Sequence, residues 1–276
     1  MRLPRPVDKF YADRGPHLAA MIAYFALLSF VPLLFLTISA LSLSGRPDES
    51  SYLVTELKKA FPGSSISSIV HAVDQIQKNA KTLGIVGAAL LLWTSLSLFS
   101  VLESAFNIVY GQPNRSFLRG KLVAFALLLV SLMTLFVGLL IGSIGNDLLK
   151  RYAGWFLDNP YVAYATSVVT SLVAVFVFLV AVYYLLTNVE HSFRSVLPGA
   201  TVSALVLAAT FQLLPLYVRH SGNVPALKAF GGPALLLVWL YVMAYVIVFG
   251  AEINWWLESR RRAAPSPPPS APATPA

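Results

Sequence analysis

The chain has 276 residues, 57% of them hydrophobic and 12% charged, with a net charge of +8 and no cysteine. Soluble domains carry roughly 25% charged residues, so this composition excludes an ordinary water-soluble fold and makes a bilayer the natural solvent. The missing cysteines exclude disulfides, thiol catalysis and cysteine-ligated zinc. The basic residues fall between apolar runs rather than in a stripe with interleaved aromatics, which argues against nucleic acid as a partner.

A spanning helix needs about 20 mostly apolar residues. The first seventeen residues are fairly polar and read as a non-spanning N-terminal segment, with no cleavable signal peptide evident. The first span is then predicted over Leu18–Leu43. A long loop, 44–82, follows. Within it Ile66, Ile69, Val70, Val73 and Ile76 recur at helical spacing, and a shorter run, Tyr52–Phe61, is broken by Pro62 and Gly63. Two amphipathic helices on the outer face are expected there, either as a plain cover or as a gate. Further spans are predicted over Leu83–Tyr110, Leu122–Ile144, Tyr161–Leu186, Val196–Val218 and Pro233–Leu257. The remainder, 258–276, is rich in Ala, Pro, Ser and Thr beyond Ala263 and is expected to be a disordered tail. The fold class is therefore an all-α polytopic bundle of six transmembrane helices with a helical extracytoplasmic loop.

An even number of spans puts both ends on one side. Eleven of the twenty Lys and Arg fall on the side of the termini and nine on the other, five of those nine in the long loop. Short segments weigh more in setting orientation, so both ends are expected in the cytoplasm.

The first and fifth spans each carry an interior proline, Pro32 and Pro215, a residue that removes a helical hydrogen bond and can serve as a hinge. The second and sixth each run from a glycine through Ala-Leu-Leu-Leu and a Trp to a Glu and an Asn. Glu103 lies 19 residues past Gly84, and Glu252 lies 20 past Gly232. At 1.5 Å per residue the two carboxylates sit at similar depth, near the terminal side. A parallel internal repeat is one reading; chance likeness between apolar helices is the other.

Charge inside a span is costly and marks function by default. Only Glu103 and Glu252 carry it. Glu103 and Asn107 are four apart and share a helix face, whereas Glu252 and Asn254 are two apart and do not. These four residues form either a polar layer facing a substrate cavity or side chains that snorkel to water at the interface. Tyr24, Ser29 and Gln212 are candidates to line a transport path or to tie helices together. Gly138 and Gly142 form a small-residue packing face on the third span. The four histidines show no metal-ligand spacing, and neither a P-loop nor a nucleophile elbow is present. No enzyme activity, cofactor or metal is expected.

Three segments together resemble the YihY/BrkB family of bacterial inner-membrane proteins, once labelled ribonuclease BN-like. The first is Ala19–Leu34, with Tyr24, Ser29 and Pro32 in place. The second runs through Leu92-Trp93-Thr94-Ser95 and Leu102-Glu103-Ser104-Ala105-Phe106-Asn107 to the basic stretch 115–121. The third opens at Pro198-Gly199-Ala200 and closes on Gly250-Ala251-Glu252-Ile253-Asn254. The likeness covers roughly residues 10 to 258. It departs from the family where Thr187-Asn188 stands for a frequent Pro-Asn, so the fourth helix is expected to end less sharply. The resemblance implies six spans with cytoplasmic ends, and a link to transport of lipids or other envelope amphiphiles and to serum resistance. The leading expectation is passive or ion-coupled transport of such a substrate, with membrane lipids as partners. The alternative is a non-transporting scaffold that binds envelope-assembly proteins, or further copies of the chain. The ribonuclease label finds no support in these residues.

Overall fold

The computed structural model describes residues 4–43, 80–131, 133, 160–189, 192–221 and 225–263. They form seven helices and no strand: α1 Pro6–Ala12, α2 Gly15–Leu43, α3 Ala80–Tyr110, α4 over 117–131, α5 Pro160–Leu186, α6 Phe193–Ser221 and α7 Pro225–Ala263. The two amphipathic helices predicted in the loop, most of the third span with Gly138 and Gly142, and the tail past Ala263 lie outside the described residues.

Among the described residues, four stretches are long and apolar enough to cross a membrane: Ile85–Tyr110, Val168–Leu186, Phe193–Leu213 and Leu236–Arg262. Six were expected. The difference lies in α2, whose side chains are described for only part of its 29 residues and yield a shorter apolar stretch, Gly15–Phe30, and in α4, described only for its first turns. Between 22% and 33% of each of the four spans is buried against the described residues. Ile85, Trp93, Val169 and Leu205 stand outward with nothing over them among those residues, an arrangement that suits hydrocarbon and not water.

Most described helices extend past the predicted spans, α6 from Phe193 to Ser221 and α7 from Pro225 to Ala263. Residues 1–17 were expected to precede the first helix, yet Pro6–Ala12 is helical. Pro6 sits in its first turn, where its missing N–H costs nothing, and Asp8 there favours the positive end of the helix dipole. Arg14 then takes a left-handed conformation (φ 58°) that turns the chain sharply into α2. At the other end, α7 does not stop at Leu257 but continues through Arg260–Arg262 to Ala263. Three arginines in a last turn complement the negative end of the dipole, and a 39-residue helix of about 58 Å outruns a hydrocarbon core of about 30 Å.

The helices alternate in direction. α2 packs along α3 and α7, α6 packs along α5 and α7, and α1 lies against α7. The starts of α2, α4 and α6 and the ends of α3, α5 and α7 meet at one end of the bundle, hereafter the polar end. Its core interleaves Ala19, Phe106, Val182, Ala200 and Val248, one from each of five helices, with Leu127 of α4 beside them. The buried positions 196, 200, 204 and 207 on α6 follow helical spacing.

Candidate functional site

All four polar residues singled out on the second and sixth spans lie at the polar end, and none snorkels: Glu103 is 4% exposed, and Glu252, Asn107 and Asn254 are fully buried. They do not form one layer. The structure divides them among three constellations, each joining different helices.

The first is built on the turn after α3. Gly111, in the left-handed region (φ 64°), ends that helix; its N–H donates to Ile108 and that of Gln112 to Asn107. The turn carries Arg115 back beneath α3, where Nη1 lies 3.3 Å from Glu103 Oε1. The same guanidinium donates to the carbonyls of Leu186 (2.6 Å) and Thr187 (2.9 Å), the orphan acceptors at the end of α5. Asn107 Nδ2 donates to Asn114 Oδ1 (3.1 Å), and its Oδ1 accepts the Asn188 N–H (2.9 Å). Asn188 in turn donates to the Pro113 carbonyl. The less sharp end expected from Thr187-Asn188 is not observed: α5 ends at Leu186, where the Arg115 guanidinium caps its last carbonyls.

The second is built on α1. Lys9 Nζ hydrogen-bonds Asp13 one turn on, donates to the Val109 carbonyl (2.6 Å), lies 3.4 Å from Glu252 Oε2 and sits 4.4 Å from the centroid of Trp255. Phe10 beside it is buried against Tyr245 and Phe249. Neither carboxylate oxygen of Glu252 accepts a hydrogen bond among the described residues. The charge is balanced only through space, an arrangement whose desolvation costs several kcal/mol per ion.

The third knits α5, α6 and α7. Asn254 Oδ1 accepts the Gly199 N–H at 2.7 Å, while its Nδ2 has no partner among the described residues. A Cβ on Gly199 would lie 2.6 Å from Asn254 Cγ and strike the Gly250 carbonyl; one on Gly250 would strike Ser203 and Tyr183. Only glycine at both positions lets these helices approach so closely. Tyr183 donates to the Ile247 carbonyl (2.7 Å), and its hydroxyl lies 3.0 Å from Ser203 Oγ.

Of the other candidates, Ser29 is buried and donates back to the Phe25 carbonyl (2.9 Å) within α2. Tyr24 is 54% exposed with its ring against Phe25, and Gln212 is exposed on α6. Pro32 lies inside α2, and Pro215 falls within α6. A cleft at the polar end is lined by Tyr110, Gln112, Val189, Trp255, Glu258 and Arg262 and borders none of the four predicted polar residues. Sequence reasoning missed Lys9, Asp13, Arg115 and Tyr183. Pro6 at a helix start with Lys9 and Asp13 four apart is a signal for α1; Arg115 enters the sequence reading as a topology charge and as the start of the basic stretch 115–121, not as a partner of Glu103.

Apolar helices of spanning length, packed through buried ion pairs at one end, define a polytopic α-helical membrane protein. The sequence profile of the virulence factor BrkB family matches residues 7–275, and the chain belongs to that family. It is 28% identical over 266 residues to the ribonuclease-like protein YfkH of Bacillus subtilis, covering 92% of this chain and 94% of that one. It is 27% identical over 263 residues to a UPF0761 membrane protein of Chromohalobacter salexigens (93% of this chain, 63% of that one). A UPF0761 membrane protein of Laribacter hongkongensis is 30% identical over 249 residues (88% and 57%). The chain therefore spans less than two thirds of the UPF0761 proteins named here and nearly all of YfkH. No solved structure matches it.

Proposed function

We propose that the chain is a transporter that moves an amphiphilic or lipid-like envelope substrate across the bacterial inner membrane, passively or coupled to an ion, and that it works without enzymatic chemistry. In this reading six helices span the membrane, both ends face the cytoplasm, and the polar end is the cytoplasmic gate in its closed state.

The observation that carries the reading is Glu252. It is fully buried in a candidate span, its carboxylate takes no described hydrogen bond, and its countercharge comes from Lys9 on a separate seven-residue helix. A buried ion pair is a poor way to gain stability, since apolar residues of similar volume do as well or better. Charge within a span is retained where a pathway needs it. A pair whose one member sits on a short docked helix can open as a unit, which a pair within one rigid helix cannot.

The test is reconstitution in proteoliposomes with labelled phospholipid. Wild-type protein is expected to move lipid faster than empty vesicles, and Glu252→Gln to change that rate at equal, correctly inserted protein. Absence of flux from folded wild-type protein would contradict the transport reading and favour a membrane scaffold.

A further inference from the structure

We propose that the cage around Lys9 is a binding site for a primary ammonium group, which Lys9 fills in the closed state, and that the transported amphiphile carries such a group on its head. The second half rests on the transport reading above; the first does not.

Among the described residues, the groups in contact with the Lys9 ammonium all attract a cation. Two carboxylates, Asp13 and Glu252, a backbone carbonyl and the face of an indole converge on it. The Val109 carbonyl belongs to the last turn of α3, where unpaired carbonyls give the helix its partial negative charge. The Trp255 ring supplies a cation–π surface.

The acceptors divide between two bodies. Asp13 travels with α1, being one turn beyond Lys9. Glu252, the Val109 carbonyl and Trp255 belong to the bundle. If α1 lifts, the bundle keeps one carboxylate, one carbonyl and one indole face, which is the complement of a single ammonium charge. Left empty, Glu252 would lose its counterion and have only the water that enters as α1 lifts. A ligand that supplies the ammonium relieves that cost, so ligand and α1 compete for one place.

The geometry selects N–H donors. The 2.6 Å contact to Val109 is a hydrogen bond that a quaternary ammonium cannot make. A hard metal cation needs six or more oxygen ligands, and here the indole occupies one side. The cage is reachable, since the side chains of Lys9 and Asp13 are 12% and 22% exposed. Trp255 also lines the cleft that holds Arg262, which donates to Glu258 at 2.6 Å.

The ammonium could belong to a lipid head or to a soluble amine, and two arms separate these. In the first, purified Lys9→Ala is titrated with ethylammonium, tetramethylammonium and sodium chlorides at constant ionic strength, following thermal unfolding and Trp fluorescence. Ethylammonium is expected to bind about tenfold more tightly than tetramethylammonium, the ratio for one charge-assisted hydrogen bond. The Lys9→Ala/Glu252→Gln double variant is expected to lose that preference. If Lys9→Ala fails to fold, Lys9→Gln, which keeps most of the stem, takes its place. Equal response to all three cations, or a preference that survives Glu252→Gln, overturns the cage.

In the second arm, wild-type proteoliposomes are compared for flux of labelled phosphatidylethanolamine and phosphatidylglycerol. Faster phosphatidylethanolamine flux, slowed by Glu252→Gln, assigns the site to a lipid head. Equal flux of both lipids overturns the substrate assignment. No flux of either, with an ammonium-selective cage in the first arm, defeats the transport reading while the cage stands as a soluble-amine site.

Discussion

Arg115 and Lys9 each bring a cation to a buried glutamate at the same end of the bundle, but they hold it differently. Arg115 lies in the turn that follows the helix of its partner Glu103, and its other donors are spent on two carbonyls at the end of α5. Asn107, Asn114 and Asn188 tie the same turn to the same helix end. Lys9 comes from outside the spans, and its partner Glu252 accepts no described hydrogen bond. A charge cross-linked to backbone on two sides is a fixed bolt. A charge carried by a seven-residue helix, held otherwise by one buried phenylalanine and a surface hydrogen bond between Tyr11 and Tyr245, is a latch.

Breaking the bolt should have the largest effect. Arg115→Ala leaves Glu103 buried without its cation and uncaps α5, and is expected to cost about 3–5 kcal/mol; denaturant unfolding in mild detergent measures it. Arg115→Lys is expected to recover little, since an ammonium cannot span both carbonyls and the carboxylate as the planar fork does.

The glycine contact comes next. Gly250→Ala drives a methyl into Ser203 and Tyr183, for an expected loss of about 1–3 kcal/mol by overpacking. Tyr183→Phe at the same place removes one donor and leaves the Ile247 carbonyl short, for about 1–2 kcal/mol.

Breaking the latch should cost less than breaking the bolt, although Glu252 is the more deeply buried carboxylate. In Lys9→Ala α1 can lift and admit water to Glu252, so about 2 kcal/mol is expected. Adding Glu252→Gln should return part of it, because the uncompensated charge goes too; a double-mutant cycle reads that coupling. Hydrogen exchange sharpens the contrast: amides of α1 should exchange well before those around Arg115. Tyr24→Phe, at an outward ring on α2, is expected to move stability by no more than about 0.5 kcal/mol.

Much of this was legible in the sequence because lipid imposes it. An apolar run of about 20 residues can do little but span, and the ends of α3 and α5 fall at the predicted Tyr110 and Leu186. The shared face of Glu103 and Asn107 followed from their spacing alone. α1 was missed because seven half-polar residues carry no spanning signal; its stability comes from Phe10 and Lys9 docking on residues more than 90 positions away. Arg115 was missed for the same reason: its acceptors lie 71 and 72 residues on. Tyr183 reads as one more aromatic in an apolar helix, and only the close approach of α6 and α7 gives its hydroxyl a partner. Local period places elements, while the pairing of charges between them is a property of the packed bundle.

The latch can be tested directly because the chain has no cysteine of its own. The hydroxyls of Tyr11 on α1 and Tyr245 on α7 are 3.1 Å apart, near the surface. A Tyr11→Cys/Tyr245→Cys protein, bridged by a thiol-cleavable bis-maleimide, would tether α1 to the bundle. In proteoliposomes the tethered protein is expected to lose lipid flux and regain it when the bridge is cleaved. Flux that continues unchanged with α1 tethered would contradict the latch.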